Sequence, residues 1–113
     1  MKSSSIGKAP RLSPVEGVEI VILGTTDKLT ICYITAQPGA MIADHSHPND
    51  QIGTCIKGAG ELVSGGKVFN TLPGTSWTIP GGEVHKWKST SDVPTILVEG
   101  FSPPRKDYVS KAK

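Results

Sequence analysis

Two stretches, Gly39-Ala-Met-Ile-Ala-Asp-His45-Ser-His47-Pro-Asn-Asp-Gln51-Ile-Gly-Thr-Cys-Ile-Lys-Gly58 and Gly74-Thr-Ser-Trp-Thr-Ile-Pro80-Gly-Gly82-Glu-Val-His85-Lys-Trp-Lys-Ser89, contain all three histidines of the chain. Alternate side chains of an extended backbone share a face, so His45 and His47 project together, with Gln51 following as an oxygen donor. The Pro80-Gly-Gly82 turn can aim His85 back at that pair. An isolated His-Ser-His reads as a solvated loop. With every histidine of the chain placed in two turn-bounded segments, the expectation is one metal site made of His45, His47, Gln51 and His85.

The surrounding sequence is strand-like. Segments 18–23, 28–36, 51–57, 61–63, 67–71, 76–79, 84–87 and 95–101 are rich in Ile, Val, Thr and aromatic residues. No stretch sustains a helical period. Turn residues fall between the segments at Gly24-Thr-Thr-Asp27, Ser64-Gly-Gly66, Pro73-Gly74 and Pro80-Gly-Gly82. Many short strands so punctuated predict an all-β sandwich or a closed barrel. Gly58-Ala-Gly60 and Gly65-Gly66 lack the Lys-Ser/Thr of a phosphate loop and open no helix, so they read as hairpin residues. Residues 1–17, with Ser3-Ser-Ser5, Pro10 and Pro14, read as an extended arm, either disordered or laid across a partner subunit; residues 106–113 read as a C-terminal tail.

Composition narrows the function classes. At 113 residues there is room for one core, and a chain of this size buries roughly two-thirds of its extended surface. The net charge of +2 and pI near 8.6 come from scattered lysines, with no basic stripe interleaved with aromatics. Nucleic acid is therefore not an expected partner. No apolar run is long enough to span a membrane, and Met1-Lys-Ser-Ser-Ser-Ile-Gly-Lys8 has no apolar stretch behind it. Cys32 and Cys55 make no disulfide framework and no Cys-x-x-Cys, so a reducing cytoplasm is expected.

The two opening stretches resemble the two signature motifs of the cupin superfamily. Gly39, His45, His47 and Gly58 match the first, with Gln51 where the family has glutamate; Gly74, Pro80, Gly82 and His85 match the second, with Ser89 where it has asparagine. The resemblance covers residues 18–105 and implies a double-stranded β-helix, the cupin jelly roll, with its ligands pointing into the barrel mouth. Three imidazoles and an amide oxygen leave a divalent ion its full charge, so the site reads as a Lewis acid before a redox centre. Ni²⁺, Zn²⁺, Fe²⁺, Co²⁺ and Mn²⁺ all accept such donors.

In the last strand, Ile96-Leu-Val-Glu99-Gly-Phe101-Ser-Pro-Pro-Arg105, alternation places Leu97, Glu99 and Phe101 on one face. A carboxylate between two apolar residues is either an exposed edge group or, as expected here, one facing a ligand cavity with its pKa raised by partial burial. Glu99, Phe101 and Arg105 at this spacing resemble the KdgF-type cupins of pectin and alginate breakdown, whose third protein ligand is also a glutamine. That resemblance implies conversion of 4,5-unsaturated monouronates to linear keto sugars. It makes Glu99, Phe101 and Arg105 candidate substrate residues, with Glu99 for proton transfer, Phe101 as an apolar wall, and Arg105 together with the metal for the substrate carboxylate or a ring oxygen. The family's acid is aspartate, so Glu99 is longer by one methylene. Two other classes stay open: an Fe²⁺-dependent dioxygenase, with Cys55 on the Gln51 face, and a non-enzymatic module binding a small ligand, a uronate or another carboxylate. A homodimer is expected, with the N-terminal arm covering the partner's sheet edge.

Overall fold

The computed structural model describes residues 1–113. Ten strands and one helix follow the turn punctuation: β1 (Arg11–Val15), β2 (Val18–Thr25), β3 (Thr30–Ala36), β4 (Met41–His45), β5 (Asp50–Lys57), β6 (Gly60–Ser64), β7 (Lys67–Thr71), β8 (Ser76–Ile79), β9 (His85–Ser89), β10 (Thr95–Ser102) and α1 (Lys106–Lys111). They form two antiparallel sheets, β1-β2-β3-β10-β5-β8 and β4-β9-β6-β7. The chain is an all-β jelly roll of two packed sheets, as the motifs implied.

Alternation decides what lies between the sheets. Val18, Ile20 and Ile22 of β2, Cys32, Ile34 and Ala36 of β3, and Leu97 and Phe101 of β10 point inward and are buried. Leu62, Trp77, Ile79 and Trp87 complete this core. Burying such side chains contributes about 1.5–3 kcal/mol each, which offsets the cost of ordering the strands.

Both sheets seat a tryptophan over a glycine. In the six-stranded sheet, Gly53 is the cross-strand partner of both Trp77 and Glu99. With no side chain at 53, the Trp77 indole lies across the strand and its Nε1–H donates to Glu99 Oε2 at 3.2 Å. In the four-stranded sheet, Trp87 lies over Gly60 and donates to Thr71 Oγ1 at 3.0 Å. A Cβ at Gly53 would stand 2.5 Å from Trp77 Nε1. Gly53→Ala should therefore displace the indole, break its bond to Glu99 and cost about 1–3 kcal/mol of stability. Chemical denaturation followed by tryptophan emission checks this, and an unchanged midpoint would show that Trp77 is loosely seated.

The segments outside 18–105 differ from expectation. Arg11–Val15 is a strand that pairs with β2 of its own chain, and Ala9 beside it is buried. Residues 106–113 are more than a tail, because Lys113 exchanges two backbone hydrogen bonds with Arg11, and Tyr108 of α1 and Ala112 just after it pack against the core. The boundaries at 18 and 105 thus fall inside the folded unit. Pro14 fits because β1 is an edge strand, where a missing N–H costs little. No helix is long and apolar enough to cross a membrane.

Candidate metal centre

β4 ends at His45 and β9 begins at His85, and the two are cross-strand partners. His47 follows in the loop before β5, which carries Gln51. The three rings meet, with centroids 4.2 Å apart for His45 and His85, 5.1 Å for His47 and His85, and 5.8 Å for His45 and His47. One ligating atom from each lies within 4.8 Å of the others.

Backbone carbonyls set the tautomers. The Nδ1–H of His45 donates to Ala43 at 2.8 Å, that of His47 to Asn49 at 3.0 Å, and that of His85 to Glu83 at 2.9 Å. Each neutral ring then offers Nε2 as a lone pair, as a metal ligand must. Desolvation holds the pKa of His47 and His85 below the usual histidine value, with Arg105 adding to the effect at His47.

The lone pairs so exposed lack partners. Nε2 of His85 is buried without any hydrogen bond. Nε2 of His47 faces Oε1 of Gln51 at 2.9 Å, while the NH₂ of that amide is committed to Glu99. Two acceptors at that distance repel unless a cation lies among them, and an unpaired buried acceptor costs about 1–3 kcal/mol. Converging, neutral and unsatisfied donors of this kind fit a divalent ion, and His45, His47 and His85 form a group that could hold one.

Beside this centre the sheets enclose a cavity of about 40 Å³, lined by His45, Gln51, His85, Glu99, Phe101 and Arg105 over an apolar floor. Glu99 is only 6 % exposed. Burial pushes its pKa up, opposed by the bonds from Trp77 and Gln51 and by the charge of Arg105. Phe101 stands edge-on to His47, with centroids 5.6 Å apart. Every residue expected at the site is thus brought to one place. Cys55 is buried, and desolvation raises its pKa, which disfavours the thiolate.

Arg105 is placed differently from the simplest expectation. Rather than standing free, it is bonded to Asp107 and stacked on Tyr108. Its hydrogen bonds hold the Asp107 carboxyl below the usual value. A carboxylate with a depressed folded-state pKa stabilises the fold above its unfolded pKa, and that contribution is lost as pH falls through the folded value. The melting-temperature gap between parent and Asp107→Asn should therefore be flat from about pH 8 to pH 5 and close below about pH 4. The gap will be modest because Asp107 is more than half exposed. A gap unchanged at pH 3 would contradict the pairing.

Four further residues were not singled out in the sequence. Trp77 bonds Glu99. Asn49 accepts from His47 through its carbonyl and donates through its amide to Pro103 and Pro104, tying the metal loop to the segment that leads into Arg105. Asp107 and Tyr108 frame Arg105. The Trp77 role is readable from alternation in Ser76-Trp-Thr-Ile79, which faces Trp77 inward; the Asn49 role depends on a loop path and those of Asp107 and Tyr108 on a short helix, neither of which a period encodes.

A cupin domain model matches residues 32–101. Among solved structures, KdgF from Halomonas sp. superposes with a TM-score of 0.86 at 23% identity, covering 95% of this chain and 97% of that one. An RmlC-like cupin from Shewanella frigidimarina gives 0.85 at 22% identity, covering 95% of each chain. An uncharacterized conserved protein with a double-stranded β-helix domain from Klebsiella pneumoniae gives 0.74 at 25% identity, covering 91% of this chain and 90% of that one. No curated protein matches the chain.

Proposed function

The chain belongs to the cupin family, and from that premise we propose that it is a metal-dependent sugar-acid isomerase of the KdgF kind, opening 4,5-unsaturated monouronates to linear keto sugars. The observation that carries this is Glu99. It is a buried carboxylate hydrogen-bonded to the amide that faces His47, and it shares its cavity with the cation Arg105. The likeness in fold to the Halomonas KdgF supports the same choice.

The reaction needs no second substrate. The anomeric hydroxyl loses its proton as C1 becomes a carbonyl, the bond from C1 to the ring oxygen breaks, and that oxygen is left as an enol on C5. A proton added at C4 converts the enol to the ketone, so the product is an isomer of the substrate. Glu99 would deliver the proton to C4 and recover one from the hydroxyl, ending as it began. Arg105 would bind the carboxylate. Phe101 would wall off water from the enol. His45, His47, Gln51 and His85 would hold a divalent ion, which supplies Lewis acidity at a substrate oxygen.

The test is the enol-ether absorbance of 4,5-unsaturated galacturonate incubated with protein loaded with Ni²⁺, Zn²⁺, Fe²⁺, Co²⁺ or Mn²⁺ in turn. Absorbance should fall without oxygen uptake. Oxygen uptake on Fe²⁺ loading would select a dioxygenase instead. A ligand-induced melting shift without turnover would select a binding module.

A homodimer remains part of this proposal on different grounds. With β1 folded onto its own β2, the outward side of the six-stranded sheet, where Ile31, Ile52 and Ile56 are exposed, is the surface a second copy would cover. Light scattering of the parent and of Ile52→Lys checks this; equal monomeric masses would end it.

A further inference from the structure

Arg105 is held on three sides. Its Nε–H donates to Oδ1 of Asp107 at 3.0 Å and one Nη2–H donates to Oδ2 at 2.9 Å. Its Cζ lies 3.6 Å from the Tyr108 ring centroid and 4.7 Å from that of Phe101. Its backbone N–H donates to Thr30 Oγ1 at 3.0 Å.

Asp107 occupies the side edge of the guanidinium, formed by Nε and Nη2. The end edge, with one proton each from Nη1 and Nη2, is bonded to no carboxylate of the chain, and Arg105 lines the cavity beside His45, Gln51, His85 and Glu99. One carboxylate can thus hold the group from the side while a second is received at the end. Asp107 therefore does not compete with a bound anion; it orients the fork that would meet it.

We propose that Asp107 and Tyr108 are positioning residues, which lock the Arg105 guanidinium between an ion pair and a ring stack so that its end edge is a preformed fork for a substrate carboxylate. The C-terminal helix is then part of the recognition machinery, because its first turn supplies both residues. An arginine left free must give up side-chain freedom at each binding event, and fixing it beforehand removes that loss from the binding step. The inference rests on the reading that a sugar acid binds beside Arg105.

The test uses the full-length, metal-loaded protein and D-glucuronate as the probe. In ¹⁵N spectra the parent should show an Arg105 Nε–H signal protected from solvent exchange, and Asp107→Asn should lose that protection while keeping its bound metal. Calorimetric affinity for D-glucuronate should weaken roughly tenfold in Asp107→Asn and recover in part in Asp107→Glu. Should Asp107→Asn not fold, Tyr108→Leu removes the stack, retains the ion pair and should weaken D-glucuronate in the same way. A protected Nε–H and parental affinity in Asp107→Asn, or parental affinity in Tyr108→Leu, would overturn the proposal. A parent that fails to bind D-glucuronate would count against the sugar-acid reading, and the ¹⁵N signal would still decide whether Asp107 holds Arg105.

Discussion

Replacing His85 with alanine should abolish metal binding while leaving a folded protein. The parent is expected to take up one divalent ion per chain and to melt at higher temperature as Ni²⁺ or Zn²⁺ is added. An ion that binds only the folded state stabilises it by about 4 kcal/mol at a free concentration 1,000 times its dissociation constant. His85→Ala should show neither uptake nor shift. Without metal the substitution loses the Nδ1–H bond to the Glu83 carbonyl, a cost partly offset because it also removes Nε2, a buried acceptor with no partner. The cavity left behind still carries its own penalty. Equilibrium dialysis with elemental analysis gives the stoichiometry. Trp77 and Trp87 line the same cavity, so their emission should be quenched by Ni²⁺ or Co²⁺ in the parent alone. One ion per chain in His85→Ala would remove the metal centre from this account.

That centre was legible in the sequence because its geometry is local. His45 and His47 are two residues apart on extended chain, and a turn of fixed composition precedes His85, so spacing alone brought the residue types together. The inward face of β10 was legible for the same reason: Leu97, Glu99 and Phe101 alternate, and all three are buried. What failed to show were elements lacking an apolar rhythm. Met41–His45 has no fully buried residue, with only Ile42 half-buried against the core and His45 turned to the histidine cluster, so its sequence carries no strand period. Arg11–Val15 contains Pro14 and lies at an edge, where half the pairing is absent. Lys106–Lys111 spans six residues, too few for a helical repeat, and has no side-chain cap. The double role of Arg105 was hidden with it, because Asp107 is two residues away and only the helical turn swings its carboxylate onto the guanidinium.

Glu99→Gln should lower turnover of 4,5-unsaturated galacturonate by roughly 10²-fold or more and leave the metal content at parental level. The expectation follows from what surrounds the carboxylate. Oε2 of Glu99 accepts from the Gln51 amide and from Trp77 Nε1–H, and a glutamine carbonyl can accept both. Gln51 would then keep its Oε1 turned toward His47, so the donors around the ion stay in place. What is lost is the capacity to give and take a proton. Glu99→Leu separates this from an orienting role: it removes the acceptor, strands the Trp77 N–H in the core and frees the Gln51 amide to turn its NH₂ toward His47, so metal affinity and stability should both fall. Turnover at the parental rate in Glu99→Gln, with affinity lost only in Glu99→Leu, would make Glu99 a group that orients Gln51 and nothing more. The proton for C4 would then have to come from elsewhere in the cavity, and Arg105, whose guanidinium is buried against Asp107 and always charged, could not supply it.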